Sequence, residues 1–154
     1  MMTTQDKRIE RVAGFLKDLL ETTGLELDFQ CDVDDEGMRV DLHGVDAGLV
    51  LDSEARLLYA INHILNRAFY ERGAEAFNVL VDCNNYRSAR AEELELLARG
   101  AADSVIESGN LHLFDPMPAS ERRLVHLALA EEPGVVTESE GVGTQRRVVV
   151  LPAK

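Results

Sequence analysis

ERRLVHLALA (Glu121 to Ala130), followed by TESEG (Thr137 to Gly141) and RRVVVLP (Arg146 to Pro152), is the stretch that decides how this chain folds. At about 100° per residue a helix over Glu121 to Ala130 places Arg122 and His126, four apart, one above the other on a single face. Pro116 and Pro118 lead into that helix as prolines do at a first turn, and it gives out before Pro133-Gly134. Two strands then form a hairpin, roughly Val135 to Glu140 and Arg146 to Leu151, across a glycine-containing loop. Successive strand residues face opposite sides, so at most one of Arg146 and Arg147 shares a surface with Arg122. Arg123 sits about 100° round the helix, placed to support the patch or to pair with Glu121 or another acid.

Charge makes this stretch stand out. The 154 residues carry a formal net charge of -12. Up to Ser108 there are 22 acids against 11 Lys and Arg, and from Gly109 onward 6 acids against 5 bases. Such a chain does not cling unspecifically to nucleic acid, so any contact of that kind is local and belongs to the C-terminal third. With 45% hydrophobic and 29% charged residues the composition is that of a globular protein. No apolar run is long enough to cross a bilayer, and MMTTQDKRIE lacks the apolar core of an export signal. A cytoplasmic protein that does not insert into membranes is expected. Cys31 and Cys83 each continue the apolar parity of a strand and read as inert buried thiols.

Upstream, Ile9, Val12, Ala13, Leu16, Leu19 and Leu20 mark one stripe of a helix that Thr4 can cap and Gly24 can stop. The period then changes to two. Leu25, Leu27, Phe29, Cys31 and Val33 form one strand, and after a turn at Asp34 to Gly37, Met38, Val40 and Leu42 form its hairpin partner. A short helix or turn over Gly44 to Asp52 follows. Then comes a helix capped by Ser53, carrying Leu57, Leu58, Ile61, Ile64, Leu65 and Ala68 and stopping near Gly73. Phe77, Val79 and Val81 suggest a third strand. A helix from Tyr86 to Ser108, with Leu94, Leu97, Ala98, Ala101 and Val105 inward, ends at Gly109, and Leu111 and Leu113 alternate in a short strand.

MPASERRLVHLALAEEPGVVTESEGVGTQRRVVVLP (Met117 to Pro152) resembles the C-terminal half of the bacterial Jag family, also called SpoIIIJ-associated proteins. That half is the Arg-x-x-x-His, or R-three-H, domain, associated with single-stranded nucleic acid. Arg122 and His126 fall on its defining pair, and Arg146-Arg147 on the paired arginines before the last strand. The resemblance implies an α+β protein: a KH-like type II unit of order α-β-β-α-α-β over residues 1–108, packed on a small α/β Arg-x-x-x-His domain over residues 109–154 with a short mixed sheet. It implies a single-stranded RNA or DNA partner. It also implies protein partners such as a small KH protein, ribosome-associated proteins or the membrane-protein insertase. At one place the chain departs from the family. A KH domain that binds nucleic acid carries a G-x-x-G loop between its central helices, and here Asp52, Ser53, Glu54 and Ala55 stand in its place. Acidic side chains there repel phosphate, so no RNA contact is expected through this loop.

The expected nucleic-acid-binding residues are therefore Arg122, Arg123, His126, Arg146 and Arg147. His43, His63 and His112 show no metal-ligand spacing, and DVDDEG (Asp32 to Gly37) lacks the spaced ligands of a calcium loop. No cofactor, metal or catalytic centre is expected. The competing expectation is a protein-interaction adaptor, its acidic KH-like half docking protein partners.

Overall fold

The computed structural model describes residues 4–34, 37–69 and 78–153. The expected stop at Gly73, the strand start at Phe77 and the middle of the turn between Asp34 and Gly37 lie outside the described residues, as does the side chain of Thr4. The chain is an α+β protein with two compact units, Met1–Arg87 and Ser88–Lys154.

Unit 1 contains α1 (Thr4–Thr23), β1 (Leu27–Asp34), β2 (Gly37–Gly44), α2 (Ala47–Ala68) and β3 (Asn78–Cys83). In α1, Val12, Leu16 and Leu20 recur every four residues and are fully or almost fully buried. The helix ends at Gly24, whose φ of 71° is a left-handed stop that glycine tolerates without strain. Strand order is β1-β2-β3, with β1 antiparallel and β3 parallel to β2. Period-two alternation sends Met38, Val40, Leu42, Val79, Val81 and Cys83 into the core beneath α1 and α2. Each fully buried leucine or valine there contributes about 1.5–3 kcal/mol.

α2 is not a continuous helix. Asp52 is extended (ψ 158°), and Ser53, Glu54 and Ala55 follow with φ of 50°, 62° and 55°. The break divides α2 in two and turns Leu58, Ile61 and Leu65 onto the core. Three consecutive left-handed non-glycine residues cost about 1–2 kcal/mol each, a cost offset by burial of Ala55 and the segment behind it. Ser53, expected as an N-cap, instead adopts this left-handed backbone and directs its hydroxyl at the Asp52 carboxylate.

Unit 2 takes all but the first two residues of α3 (Tyr86–Ser108), then β4 (His112–Leu113), α4 (Ala119–Ala128), β5 (Val135–Glu140) and β6 (Arg147–Pro152). The expected boundary at Gly109 differs from this division. Leu94, Ala98, Ala101, Ala102 and Val105 of α3 share one core with Phe114, Val125, Leu129, Val135, Val148 and Val150. The helix is therefore part of the C-terminal unit. Leu97, expected inward, is 48% exposed, because it lies off the arc spanned by Leu94, Ala98 and Ala102. The expected mixed sheet is corrected too. Strand order is β4-β6-β5 and both pairings are antiparallel, because β6 returns from the hairpin into the central place. Among the described residues no helix is long and apolar enough to cross a membrane.

Candidate nucleic-acid interface

Strand parity builds the site. In β5 the residues Val135, Thr137 and Ser139 alternate with Val136, Glu138 and Glu140. Thr137 and Ser139 lie opposite Val150 and Val148 of β6, both of which sit in the core with Val125 of α4. The two hydroxyls thus face α4, while Glu138 and Glu140 face away from it. The acidic halves of TESEG are removed from the helix side by the pleat alone.

Arg122 and His126 meet those hydroxyls. His126 Nδ1 lies 2.7 Å from Thr137 Oγ1, and its Nε2 lies 2.9 Å from Ser139 Oγ. Arg122 donates through Nη1 to the same Ser139 Oγ at 3.2 Å and through Nε to the Met117 carbonyl at 3.3 Å. Both side chains are half-buried. Burial, and secondly the Arg122 charge, push the His126 pKa below the usual imidazole value. A neutral imidazole has one N–H donor and one bare acceptor nitrogen. Whichever tautomer forms, one hydroxyl gives its hydrogen to the ring, and the other accepts from the ring and keeps its own hydrogen for another partner. The cluster therefore presents the outer guanidinium N–H groups of Arg122 and one hydroxyl donor.

None of the five expected residues makes an ion pair with a carboxylate among the described residues. The acid nearest in sequence is engaged elsewhere. Glu121, only 2% exposed, receives Arg90 Nε from α3 at 3.1 Å, and Arg90 also binds Glu93 at 2.7 Å. Arg123 is exposed on α4. Arg146 is exposed just ahead of β6 and has the parity of Val148, the α4 side. Arg147 has the opposite parity and stands across from Glu140, without an ion pair, on the far face of the sheet. The structure thus brings together Arg122 and His126, puts Arg123 and Arg146 on the same side, and separates Arg147 from them. Sequence reading misses Thr137 and Ser139. Their signal is the alternation of TESEG, which puts two hydroxyls on one face and two carboxylates on the other.

Elsewhere chemistry is sparse. Cys31 and Cys83 are free thiols, and burial raises the pKa of both, so they are poor nucleophiles. Among the described residues no group of His, Cys, Asp and Glu is arranged to hold a metal ion.

Residues 92–152 match the R-three-H domain family, a span that includes most of α3. Over 146 residues the chain is 30% identical to RNA-binding protein KhpB of Lactiplantibacillus plantarum, covering 95% of this chain and 45% of that protein. Identity is 29% over 150 residues to RNA-binding protein KhpB of Clostridium symbiosum, covering 96% of this chain and 66% of the relative. With RNA-binding protein KhpB of Bacillus subtilis it is 28% over 144 residues, 92% of this chain and 69% of the relative. The chain spans about half to two thirds of the length of these relatives. It carries an R-three-H domain over residues 92–152, and over nearly all of its length it is similar to proteins named RNA-binding protein KhpB.

Proposed function

We propose that the chain is a cytoplasmic, non-catalytic protein that binds single-stranded RNA through unit 2, with Arg122 and His126 at the centre, Arg123 and Arg146 beside them and Arg147 at the margin. The observation that carries this reading is the Arg122–Ser139–His126–Thr137 cluster. It holds a guanidinium and an imidazole in fixed positions by hydroxyl groups, which orient without neutralising. A planar fork of N–H donors suits a phosphate, and an imidazole whose two nitrogens are taken by hydroxyls keeps its ring face for stacking on a base. RNA is favoured over DNA because the relatives are named as RNA-binding proteins.

In this reading unit 1 is a KH-like domain, supported by its order of elements with α2 counted as two helices. Its G-x-x-G position keeps a positive-φ backbone at Ser53, Glu54 and Ala55, but presents Asp52 and Glu54 to solvent and takes no RNA. Fluorescence anisotropy of a labelled single-stranded oligoribonucleotide at low salt tests the reading. Binding is lost or strongly weakened in Arg122→Ala and in His126→Ala. Binding unchanged in both variants removes the site.

A further inference from the structure

The two edges of the unit 1 sheet are treated in opposite ways. At β3, side chains replace a missing strand. Asn66 Oδ1 accepts from Val79 N at 2.9 Å while its Nδ2 donates to the Val79 carbonyl. Asn62 Oδ1 accepts from Val81 N at 2.9 Å, and Arg87 Nε donates to the Val81 carbonyl at 2.8 Å. Every outward backbone group of Val79 and Val81 is satisfied. Sealing of this kind is how proteins stop an edge from recruiting another strand.

β1 has no such seal. The Leu42 carbonyl of β2 accepts from Asn84 on the β3 side, so the odd residues Arg39, Asp41 and His43 bond toward β1. Their partners Asp32, Gln30 and Asp28 are the hydrogen-bonded positions of β1. Leu27 agrees, giving its N–H to the Leu25 carbonyl rather than to its partner Gly44. Alternation then turns the N–H and C=O groups of Phe29, Cys31 and Val33 off the edge, where among the described residues no backbone partner meets them.

The surroundings of this edge define what fits it. On the outer face the row beside it is Asp28, Gln30 and Asp32, all exposed, with Asp41 next across the sheet. Arg39, opposite Asp32 in this row, is held by Asp34 at 3.4 Å. Toward the inner face Leu20, Leu25, Leu27 and Phe29 line a groove of about 270 Å³ whose polar lining is Lys17, Glu21 and Asp28. A second copy of β1 does not suit the outer face, since it brings its own Asp28 and Asp32 against the same residues in a chain of net charge -12.

We propose that the open edge of β1 receives an extended segment of a partner protein in which apolar and basic residues alternate. Main-chain bonds to Phe29, Cys31 and Val33 give the pairing its register. Apolar side chains enter the groove, and lysines or arginines lie along Asp28 and Asp32. This surface belongs to unit 1, whereas the proposed RNA site belongs to unit 2.

Hydrogen-exchange NMR on the full chain tests it, with a capped peptide of alternating lysine and valine as the probe. In the free protein, amides of Phe29, Cys31 and Val33 exchange fast and those of Val79 and Val81 slowly. Saturating peptide slows the first three roughly tenfold or more, while a glutamate–valine peptide leaves them unchanged. Cys31→Pro deletes an outward N–H without touching the β2 ladder and abolishes the effect. The exposed double change Asp28→Lys with Asp32→Lys exchanges the preference between the two peptides. Exchange that is indifferent to the lysine peptide, or equal protection by both peptides, overturns the proposal. So does concentration-dependent self-association that Cys31→Pro removes, which assigns the edge to a second copy. Oligonucleotide binding, measured without peptide, is unaffected by Cys31→Pro, so failure here and failure of the RNA site are told apart.

Discussion

Replacing one arginine at a time measures how many phosphates the R-three-H unit neutralises and which face of the sheet they touch. Three unpaired guanidinium groups lie on the α4 side, those of Arg122, Arg123 and Arg146, and Arg147 lies on the other. Each single-strand phosphate neutralised contributes about -0.7 to the slope of log affinity against log salt, so the intact site has a slope near -2. Raising salt from roughly 50 to 200 mM then weakens binding about 20-fold. Arg122→Ala and Arg146→Ala each reduce the slope to about -1.4, so the same salt step costs about 7-fold. At the lower salt each also loses a charge-assisted contact, roughly tenfold in affinity. Arg147→Ala lowers the slope less than Arg146→Ala does, because its side chain faces away from α4. Anisotropy titrations of a short oligoribonucleotide at five or so salt concentrations yield all four slopes, with circular dichroism confirming that each variant folds. Equal effects of Arg146→Ala and Arg147→Ala would refute the parity argument, and a slope near zero in the unaltered chain would refute phosphate contact altogether.

Other consequences are open to measurement. Because its folded pKa lies below the unfolded value of about 6.5, neutral His126 contributes stability that is present above that pH and lost as pH falls toward its folded pKa. The unaltered chain therefore loses more stability on acidification than His126→Gln does, and a denaturant series between pH 7.5 and 5.5 or so checks this. Arg122→Ala removes the second cause of the shift and raises the His126 pKa, read from the imidazole proton resonances. Ser139→Ala takes the shared acceptor from Arg122 and the partner from His126 Nε2, costing about 1 kcal/mol in urea denaturation and weakening RNA binding through a mispositioned Arg122. Asn66→Ala unseals Val79 at the β3 edge, costing about 1–3 kcal/mol and making the chain more prone to aggregate, seen by light scattering. Glu54→Gly relieves a positive φ at an exposed residue and raises stability by up to about 1 kcal/mol, with no gain in RNA affinity while Asp52 remains.

Helices and strands are legible in the sequence because their signal is local. Val12, Leu16 and Leu20 recur at helical spacing, and Met38, Val40 and Leu42 alternate, so burial of one face dictates each element from neighbouring residues alone. The Arg122–His126 pair is legible for the same reason, since four residues make about one helical turn. The break in α2 is legible as a loop between two helices but not in its backbone, because propensity disfavours three left-handed non-glycine residues and only the packing of Ala55, Leu58 and Ile61 holds them there.

Partnerships between distant residues are decided by the tertiary structure. Glu121 is withdrawn from the arginines beside it by Arg90, 31 residues earlier, and Thr137 and Ser139 reach Arg122 and His126 only because β5 lies alongside β6 under α4. Helix α3 joins the C-terminal unit, and the antiparallel order β4-β6-β5 replaces a mixed sheet, for a related reason. Periodicity tells which face of an element is buried, but not against which other element. That choice is made by the packing of the whole core and by the need to give every buried polar group a partner.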